Sequence, residues 1–213
     1  MKDNPVIVVL AAGRSSRFGD AQHKLAQALG TASVLGQTIR HAIATQLPVV
    51  VVTTEPLAGE AARWVARRDV VVVPEVGTAG GAMLGMGYSL AAGVAARPEA
   101  SGWLVLPGDM PLIRPETLLA VAAALGQHAV VFAQHRGRRG HPVCFAAELF
   151  SELVQLTGDE GARRIVARYP SFGLEVSDRG VLMDVDTEAD LAAMRAAAPD
   201  AVLGSELPAR AER

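Results

Sequence analysis

Four short runs of apolar, mostly β-branched residues mark the first half of the chain, at positions 6–10, 49–53, 70–73 and 103–106. Each run is almost continuously apolar and does not alternate with polar residues. This pattern predicts strands that are buried on both faces, as in a parallel sheet covered by helices on each side.

Segments with the apolar spacing of helices separate these runs. Apolar residues recur at helical intervals from Val34 to Ile43, and Ser33 is the expected N-cap. Further helices are predicted at 57–68, 83–96 and 115–125. The alternation of strands and helices predicts an α/β fold with a doubly wound sheet and right-handed crossovers.

The second half of the chain departs from this alternation. Strands are predicted at 129–133, 142–145, 174–176 and 181–183, and helices at 147–156 and 187–197. A basic turn at 135–140 joins the first two of these strands. We expect residues 1–198 to form one domain, and residues 199–213, rich in Ala, Pro and charge, to form a flexible C-terminal tail.

Composition narrows the class of protein. The chain has 213 residues and a formal net charge of −2, which gives no global electrostatic reason to expect nucleic acid as a partner. The first apolar run is too short for a signal-peptide core or a membrane span, so no membrane association is expected. The single cysteine, Cys144, excludes an internal disulfide and fits a cytoplasmic location. The histidines and Cys144 lack the spacing of zinc ligands.

A glycine-containing loop follows the first predicted strand. Its residues include Leu10, Ala11, Ala12, Gly13, Arg17 and Gly19, and Lys24 follows five residues after Gly19. Small residues let backbone amides approach an anion closely, and the two cations could neutralise a triphosphate. The alternative is an ordinary turn with solvated basic side chains. Two glycines and two spaced cations favour phosphate binding, although the glycine spacing is neither that of a Walker A loop nor that of a dinucleotide fingerprint.

Two acidic motifs are candidates for binding a metal ion. Asp109 follows the fourth apolar run, where a carboxylate would point into the crevice at the carboxyl ends of the strands. Asp184 and Asp186 alternate, so both would lie on one face of an extended segment. Mg²⁺ suits such a set because it takes carboxylate and phosphate oxygens, and Mn²⁺ could replace it. The alternatives are a turn stabilised by Asp109 and a helix cap at Asp186 or Thr187.

Two further motifs leave functional and structural interpretations open. The first contains Gly85, Gly87, Ser89 and Gly93. Its glycines suggest close approach either of a nucleotide or of a packed neighbour. In Gly140-His141-Pro142, His141 could contact an acceptor substrate, or it could be a structural residue beside a strand. The basic turn before it could bind an anionic acceptor, or it could be a solvated hairpin tip.

Taken in this order, these motifs resemble those of the MobA-like nucleotidyltransferases over about residues 5–195, and within that family they most resemble the molybdenum cofactor cytidylyltransferases. The resemblance implies a Rossmann-like, glycosyltransferase-A-type fold with three α/β/α layers. It implies transfer of CMP from CTP to the phosphate of molybdopterin, with release of pyrophosphate. The presence of Ala12, where guanylyl-transferring members have glycine, favours CTP over GTP.

The resemblance also assigns roles to the motif residues. Catalytic roles fall to Arg17, Lys24 and Asp109, and metal binding to Asp109, Asp184 and Asp186. Nucleotide binding falls to Leu10, Ala11, Ala12, Gly13, Gly19, Lys24, Gly85 and Ser89, and acceptor binding to Gly140, His141 and Pro142. Some members of the family serve a molybdenum hydroxylase, so such a client is a further expectation. Another nucleotide, another phosphate acceptor, such as a sugar or polyol phosphate, and a non-catalytic cofactor-binding chaperone remain as alternatives.

Overall fold

The computed structural model of the protein describes residues 4–13, 23–75 and 85–197. The strands are, in chain order, β1 (Val6–Ala11), β2 (Ala28–Leu29), β3 (Ala32–Ser33), β4 (Val49–Thr53), β5 (Val70–Val72), β6 (Gly102–Pro107), β7 (Val130–His135), β8 (Arg138–Ala146) and β9 (Ser171–Glu175). The helices are α1 (Val34–Ala44), α2 (Glu55–Ala61), α3 (Met86–Ala95), α4 (Pro115–Ala124), α5 (Phe150–Leu153), α6 (Arg163–Arg168) and α7 (Glu188–Ala197).

The central sheet has seven strands in the order β5-β4-β1-β6-β8-β7-β9. Strands β5, β4, β1 and β6 pair in parallel, and β9 is parallel to β7. Only β8, among the strands of this sheet, runs antiparallel to its neighbours β6 and β7. The predicted mostly parallel sheet is therefore confirmed. Its one reversed strand, β8, lies between β6 and β7 and comes from the second half of the chain.

Helices cover both faces of the sheet, as the continuous apolar runs require. Along β1, Ile7 and Val9 belong to the hydrophobic cluster that contains Leu35 of α1. Val8 belongs to the opposite cluster, together with Leu90 of α3. Side chains of successive strand residues point to opposite faces, so burial of both faces leaves no polar position in the strand. This arrangement confirms the three-layer α/β/α fold.

Val181 and Leu182, which the sequence predicted within a strand at 181–183, instead belong to a 3-10 helix at Arg179–Leu182, and Met183 is its C-cap. The side chain of Asp178 accepts a hydrogen bond from the amide of Gly180 at 2.9 Å and caps this turn. Such a local bond stabilises a turn in competition with an extended conformation. The strand prediction was wrong for this reason.

Two predicted helices are shorter than the apolar pattern suggested. The helix predicted at 57–68 ends at Ala61, where the chain turns and lays Trp64 against α1. An added Cβ on Gly36 would lie 2.8 Å from the Trp64 ring nitrogen, so that glycine provides the space. The helix predicted at 147–156 is a 3-10 turn followed by the four residues of α5. No helix within the three described segments is long and apolar enough to cross a membrane.

Candidate active site

The loop after β1 begins beside the end of β6. The amide of Gly108 donates to the carbonyl of Leu10 at 2.8 Å, and the hydroxyl of Thr38 donates to the carbonyl of Gly108 at 3.0 Å. These bonds hold the turn after β6 against the end of β1. Ala12 is half-buried and Gly13 is exposed, with no atom within 4 Å of an added Cβ. Arg17 and Gly19 lie outside the described residues.

The structure gathers the three predicted acids at this edge of the sheet. Asp109 follows β6 directly, and its backbone carbonyl accepts a hydrogen bond from the amide of Val185 at 2.9 Å. This bond places Asp184 and Asp186 on either side of the contact. Carboxylate oxygens of Asp109, Asp184 and Asp186 all lie within 4.8 Å of one another. Residues about 75 positions apart in the chain thus form one acidic cluster, as the metal-site hypothesis requires.

Lys24 joins this cluster. Its Nζ donates to Oδ2 of Asp109 at 2.7 Å and to Oδ1 of Asp186 at 3.1 Å, and 12% of its side chain is exposed. Burial by itself lowers the pKa of Lys24, but the two carboxylates outweigh burial and raise that pKa above its ordinary value. The side chain therefore stays a cation near neutral pH, and its ammonium lies where a cation bridging two carboxylates would lie.

The acidic cluster is suited to a divalent cation. Burial raises the pKa of Asp184, and the neighbouring charges of Asp186 and Asp109 raise it further, while its own backbone amide and Lys24 oppose the shift. Close carboxylates repel one another, and a hard cation with oxygen ligands removes that repulsion. The three carboxylates are therefore a set of oxygen donors of the kind that Mg²⁺ or Mn²⁺ uses.

His141 lies in β8 beside this cluster, before a cis peptide bond to Pro142. Burial lowers the pKa of the imidazole; the charge of Asp109 opposes this shift, and that of Arg139 adds to it. The ring is thus neutral near pH 7. Its Nδ1 is buried and has no hydrogen-bond partner among the described residues. A buried ring nitrogen without a partner is costly, so a bound ligand could satisfy it.

A cavity of about 570 Å³ adjoins His141. Five residues of β8 line it, namely Arg139, Gly140, His141, Val143 and Phe145, together with Leu10, Met86, Leu90 and Val105 and with Glu160, Ala162, Arg163, Val166 and Ala167 in and before α6. Most of these side chains are apolar; two arginines, Arg139 and Arg163, add positive charge, and Glu160 adds one negative charge. The guanidinium carbon of Arg139 lies 4.4 Å from the centre of the Phe132 ring, which orients it.

Sequence reasoning did not single out Arg139 or Arg163 as lining residues. For Arg139 a signal was available, because His141 lies two residues further along the same strand and alternation places both side chains on one face. For Arg163 there was none, because the sequence predicted no helix between residues 156 and 187.

Gly87 of α3 makes room for the protein's own backbone. An added Cβ on Gly87 would lie 2.6 Å from the carbonyl oxygen of Thr157, and the amide of Gly87 donates to the carbonyl of Gly158 at 2.8 Å. The hydroxyl of Ser89 donates to the carbonyl of Gly85 at 3.2 Å. These contacts favour the packing interpretation for this motif, and nucleotide binding by Gly85 and Ser89 stays a prediction.

Gly140 also serves packing. An added Cβ there would lie 2.1 Å from the carbonyl oxygen of Val181. The glycine therefore lets the 3-10 helix at Arg179–Leu182 lie directly on β8, three residues before the segment that carries Asp184 and Asp186. Contact of Gly140 or Pro142 with an acceptor stays a prediction.

The carboxylates and the half-buried Lys24 lie at the carboxyl ends of the central strands, which is where open α/β sheets bind their ligands. Residues 7–172 match the family model described as the MobA-like NTP transferase domain. The chain belongs to this family of nucleotidyltransferases, as the motifs predicted.

Relatives with assigned names vary in how much of their length they share with this chain. The purine catabolism protein PucB of Bacillus subtilis (strain 168) is 30% identical over 196 residues, covering 84% of this chain and 90% of PucB. The bifunctional protein GlmU of Alkalilimnicola ehrlichii is 35% identical over 121 residues, covering 55% of this chain but only 24% of GlmU. The likeness to PucB thus extends over nearly the whole protein, whereas that to GlmU concerns one part.

Solved structures agree with the fold. Rv0371c from Mycobacterium tuberculosis H37Rv superposes with a TM-score of 0.77 at 29% identity, over 91% of this chain and 98% of that one. Rv0371C in complex with manganese superposes with a TM-score of 0.71 at 27% identity, again over 91% and 98%.

Proposed function

We propose that the protein transfers CMP from CTP to the terminal phosphate of molybdopterin and releases pyrophosphate. The observation that carries this proposal is the contact of Lys24 with both Asp109 and Asp186 beside the cavity wall formed by His141. This contact brings a cation suited to phosphates together with ligands suited to a metal ion, next to a separate pocket for an acceptor.

The triphosphate of CTP is placed along the loop after β1. Backbone amides from Leu10 to Gly13 approach the phosphates, and the Lys24 ammonium neutralises charge on the leaving pyrophosphate. Arg17 and Gly19 belong to the same proposed phosphate site. The choice of CTP rests on the resemblance of Ala12 and its neighbours to the cytidylyl-transferring members of the family.

The acidic cluster is the proposed metal site. Asp109, Asp186 and Asp184 would hold Mg²⁺ or Mn²⁺ through their carboxylate oxygens. The bound ion would supply positive charge to the phosphate oxygens during transfer. The manganese complex of the Mycobacterium protein supports divalent metal use in a structure of this kind.

The cavity beside His141 is the proposed acceptor site. Its apolar wall accommodates the flat face of a heterocycle, and Arg139 is available for an anionic group. The neutral ring of His141 would use its buried Nδ1 to orient the acceptor. A sugar phosphate would leave most of its hydroxyl groups against apolar side chains, which disfavours that class of acceptor.

The transfer needs no separate general base. An oxygen of the acceptor phosphate, already ionised near neutral pH, forms a bond to the α-phosphorus of CTP. The bond from that phosphorus to the bridging oxygen breaks, and pyrophosphate leaves with the electron pair. The residues of the chain contribute position and charge neutralisation, which dominate in phosphoryl-type transfers.

The decisive assay combines nucleotides with acceptors. Purified protein with Mg²⁺ or Mn²⁺ is supplied with CTP or GTP, and with molybdopterin or a panel of sugar and polyol phosphates, while pyrophosphate release is measured. We expect release with CTP and molybdopterin. Release only with GTP would overturn the base assignment, and release only with another phosphate would overturn the acceptor.

A chaperone without turnover has its own signature in this assay. It would bind CTP and the metal ion but release no pyrophosphate with any acceptor. The cytidylylated product would be passed to a molybdenum hydroxylase under our proposal, and the name of the PucB relative, which refers to purine catabolism, supports a client in purine catabolism.

A further inference from the structure

The acids of the proposed metal site come from two segments, and neither segment belongs to a helix or a strand. Asp109 lies in the turn after β6, and Asp184 and Asp186 lie in the extended stretch before α7. Their direct backbone link is the bond from the amide of Val185 to the carbonyl of Asp109, at 2.9 Å. Three carboxylates within 4.8 Å repel one another, and besides the bridge that Lys24 makes between Asp109 and Asp186, further bonds hold the two segments together.

Asp178 supplies these bonds. Its Oδ2 accepts from the amide of Arg114 at 2.9 Å and from the hydroxyl of Thr117 at 2.7 Å, both at the start of α4. Its Oδ1 accepts from the amide of Gly180 at 2.9 Å. One carboxylate thus ties the segment that follows Asp109 to the segment that precedes Asp184.

The burial of Asp178 makes this link firm. Its exposure is 4%, and within the described segments it is the one acidic or basic residue that is buried. Both of its oxygens are used by donors, so its charge is compensated by hydrogen bonds inside the protein. The Arg114 Nε lies 3.6 Å from Oδ1 and adds a cation at the surface end.

Close packing around the link leaves little freedom for the segment it holds. An added Cβ on Gly180 would lie 2.3 Å from the carbonyl oxygen of Leu112, in the stretch between Asp109 and α4. Gly140 makes the same kind of contact with Val181 from the other side. The stretch that leads to Asp184 is therefore clamped between β8 and the segment after β6.

We propose that Asp178 is a positioning residue, which holds Asp184 and Asp186 against Asp109 and so presets the geometry of the divalent cation site. The proposal rests on the metal site of the proposed function. Ligands that are already in place bind an ion more tightly, because less conformational freedom is lost on binding. Loss of a residue that orients metal ligands typically weakens metal binding about 10- to 100-fold.

The test measures Mn²⁺ binding to the full chain without nucleotide, from the decrease of the electron paramagnetic resonance signal of free Mn²⁺. Asp178→Asn keeps the size of the side chain but presents an NH2 group to backbone donors. We expect its Kd for Mn²⁺ to rise about tenfold or more. The matched control is Asp69→Asn, which breaks the ion pair between Asp69 and Arg97, near β5 and the end of α3, and we expect it to leave that Kd unchanged.

A milder pair of variants covers the case in which Asp178→Asn does not fold. Thr117→Val removes one hydrogen bond to Asp178, and we expect it to weaken Mn²⁺ binding, whereas Thr117→Ser keeps the hydroxyl and should restore wild-type binding. Equal Kd values for the wild type and for folded Asp178→Asn, or for Thr117→Val and Thr117→Ser, would overturn this proposal alone. A wild-type chain that binds no Mn²⁺ would overturn the metal site itself and this inference with it.

Discussion

Replacement of Lys24 by methionine tests the arrangement of charges on which the site depends. The change keeps roughly the length of the side chain and removes its ammonium group. In the native protein that group donates at 2.7 Å to Asp109 and at 3.1 Å to Asp186. The variant leaves carboxylates that lie within 4.8 Å of one another without this cation.

The magnitude follows from burial as well as from distance. A hydrogen bond between charged groups contributes about 1.5–3 kcal/mol. The side chain of Asp186 is 35% exposed, so solvent screens the second contact to about 1 kcal/mol or less. We expect the free energy of unfolding to fall by about 2–4 kcal/mol, and Tm by about 5–15 °C in a protein of this size. With a total stability of about 5–15 kcal/mol, the variant should still fold.

The assay is urea and thermal unfolding followed by circular dichroism, in the presence of a chelator. The control is Arg63→Met, because Arg63 pairs with Glu60 at 3.1 Å but has a side chain that is 76% exposed. A surface pair of this kind contributes about 0–1 kcal/mol. Equal losses in the two variants would refute the reasoning, since they would show that the buried contact stabilises no more than a solvated one. Added Mn²⁺, which binds the native acidic cluster, should raise the stability of Lys24→Met by more than that of the wild type, and that of Arg63→Met by the same amount as that of the wild type.

Three other predictions follow from the site and the core. Asp109→Asn should abolish pyrophosphate release while the circular dichroism spectrum is kept, and a folded variant with wild-type turnover would remove Asp109 from the mechanism. Arg139→Ala should raise KM for the acceptor about tenfold and leave KM for CTP unchanged, because one charge-assisted hydrogen bond is worth roughly that factor. The control is Arg138→Ala, since Arg138 is an exposed neighbour that does not line the cavity, and it should change neither KM. Equal effects of the two substitutions would contradict the acceptor site. Burial raises the pKa of Cys144 to about 12, so the thiol stays protonated at mildly alkaline pH and should react with a thiol reagent only after unfolding; rapid labelling of the native protein would contradict this.

The apolar pattern by itself determined the strands and the layers of the fold. Continuous runs such as 49–53 have no polar position, so they can be satisfied only by burial on both faces. The positions of Asp109 and of the loop at 10–13 were also readable, because residues that follow parallel strands meet at one edge of the sheet. Short stretches of sequence carry this information, and they can be interpreted without knowledge of which distant residues come into contact.

Tertiary structure decided which partners each motif meets. Glycines at 85 and 87 read equally well as a nucleotide site or as a packing contact, and only the folded chain shows the backbone at Thr157 and Gly158 packed closely against them. The segment at 181–183 has the composition of a strand, yet Asp178 and the packing of Gly180 hold a 3-10 helix there.

The contact of Lys24 with Asp109 and Asp186 depends in the same way on the whole fold. It joins residues 85 and 162 positions apart. Hydrogen bonds and close contacts between distant residues form only when the whole chain is folded. They therefore cannot be predicted from residue types and spacing along the chain alone.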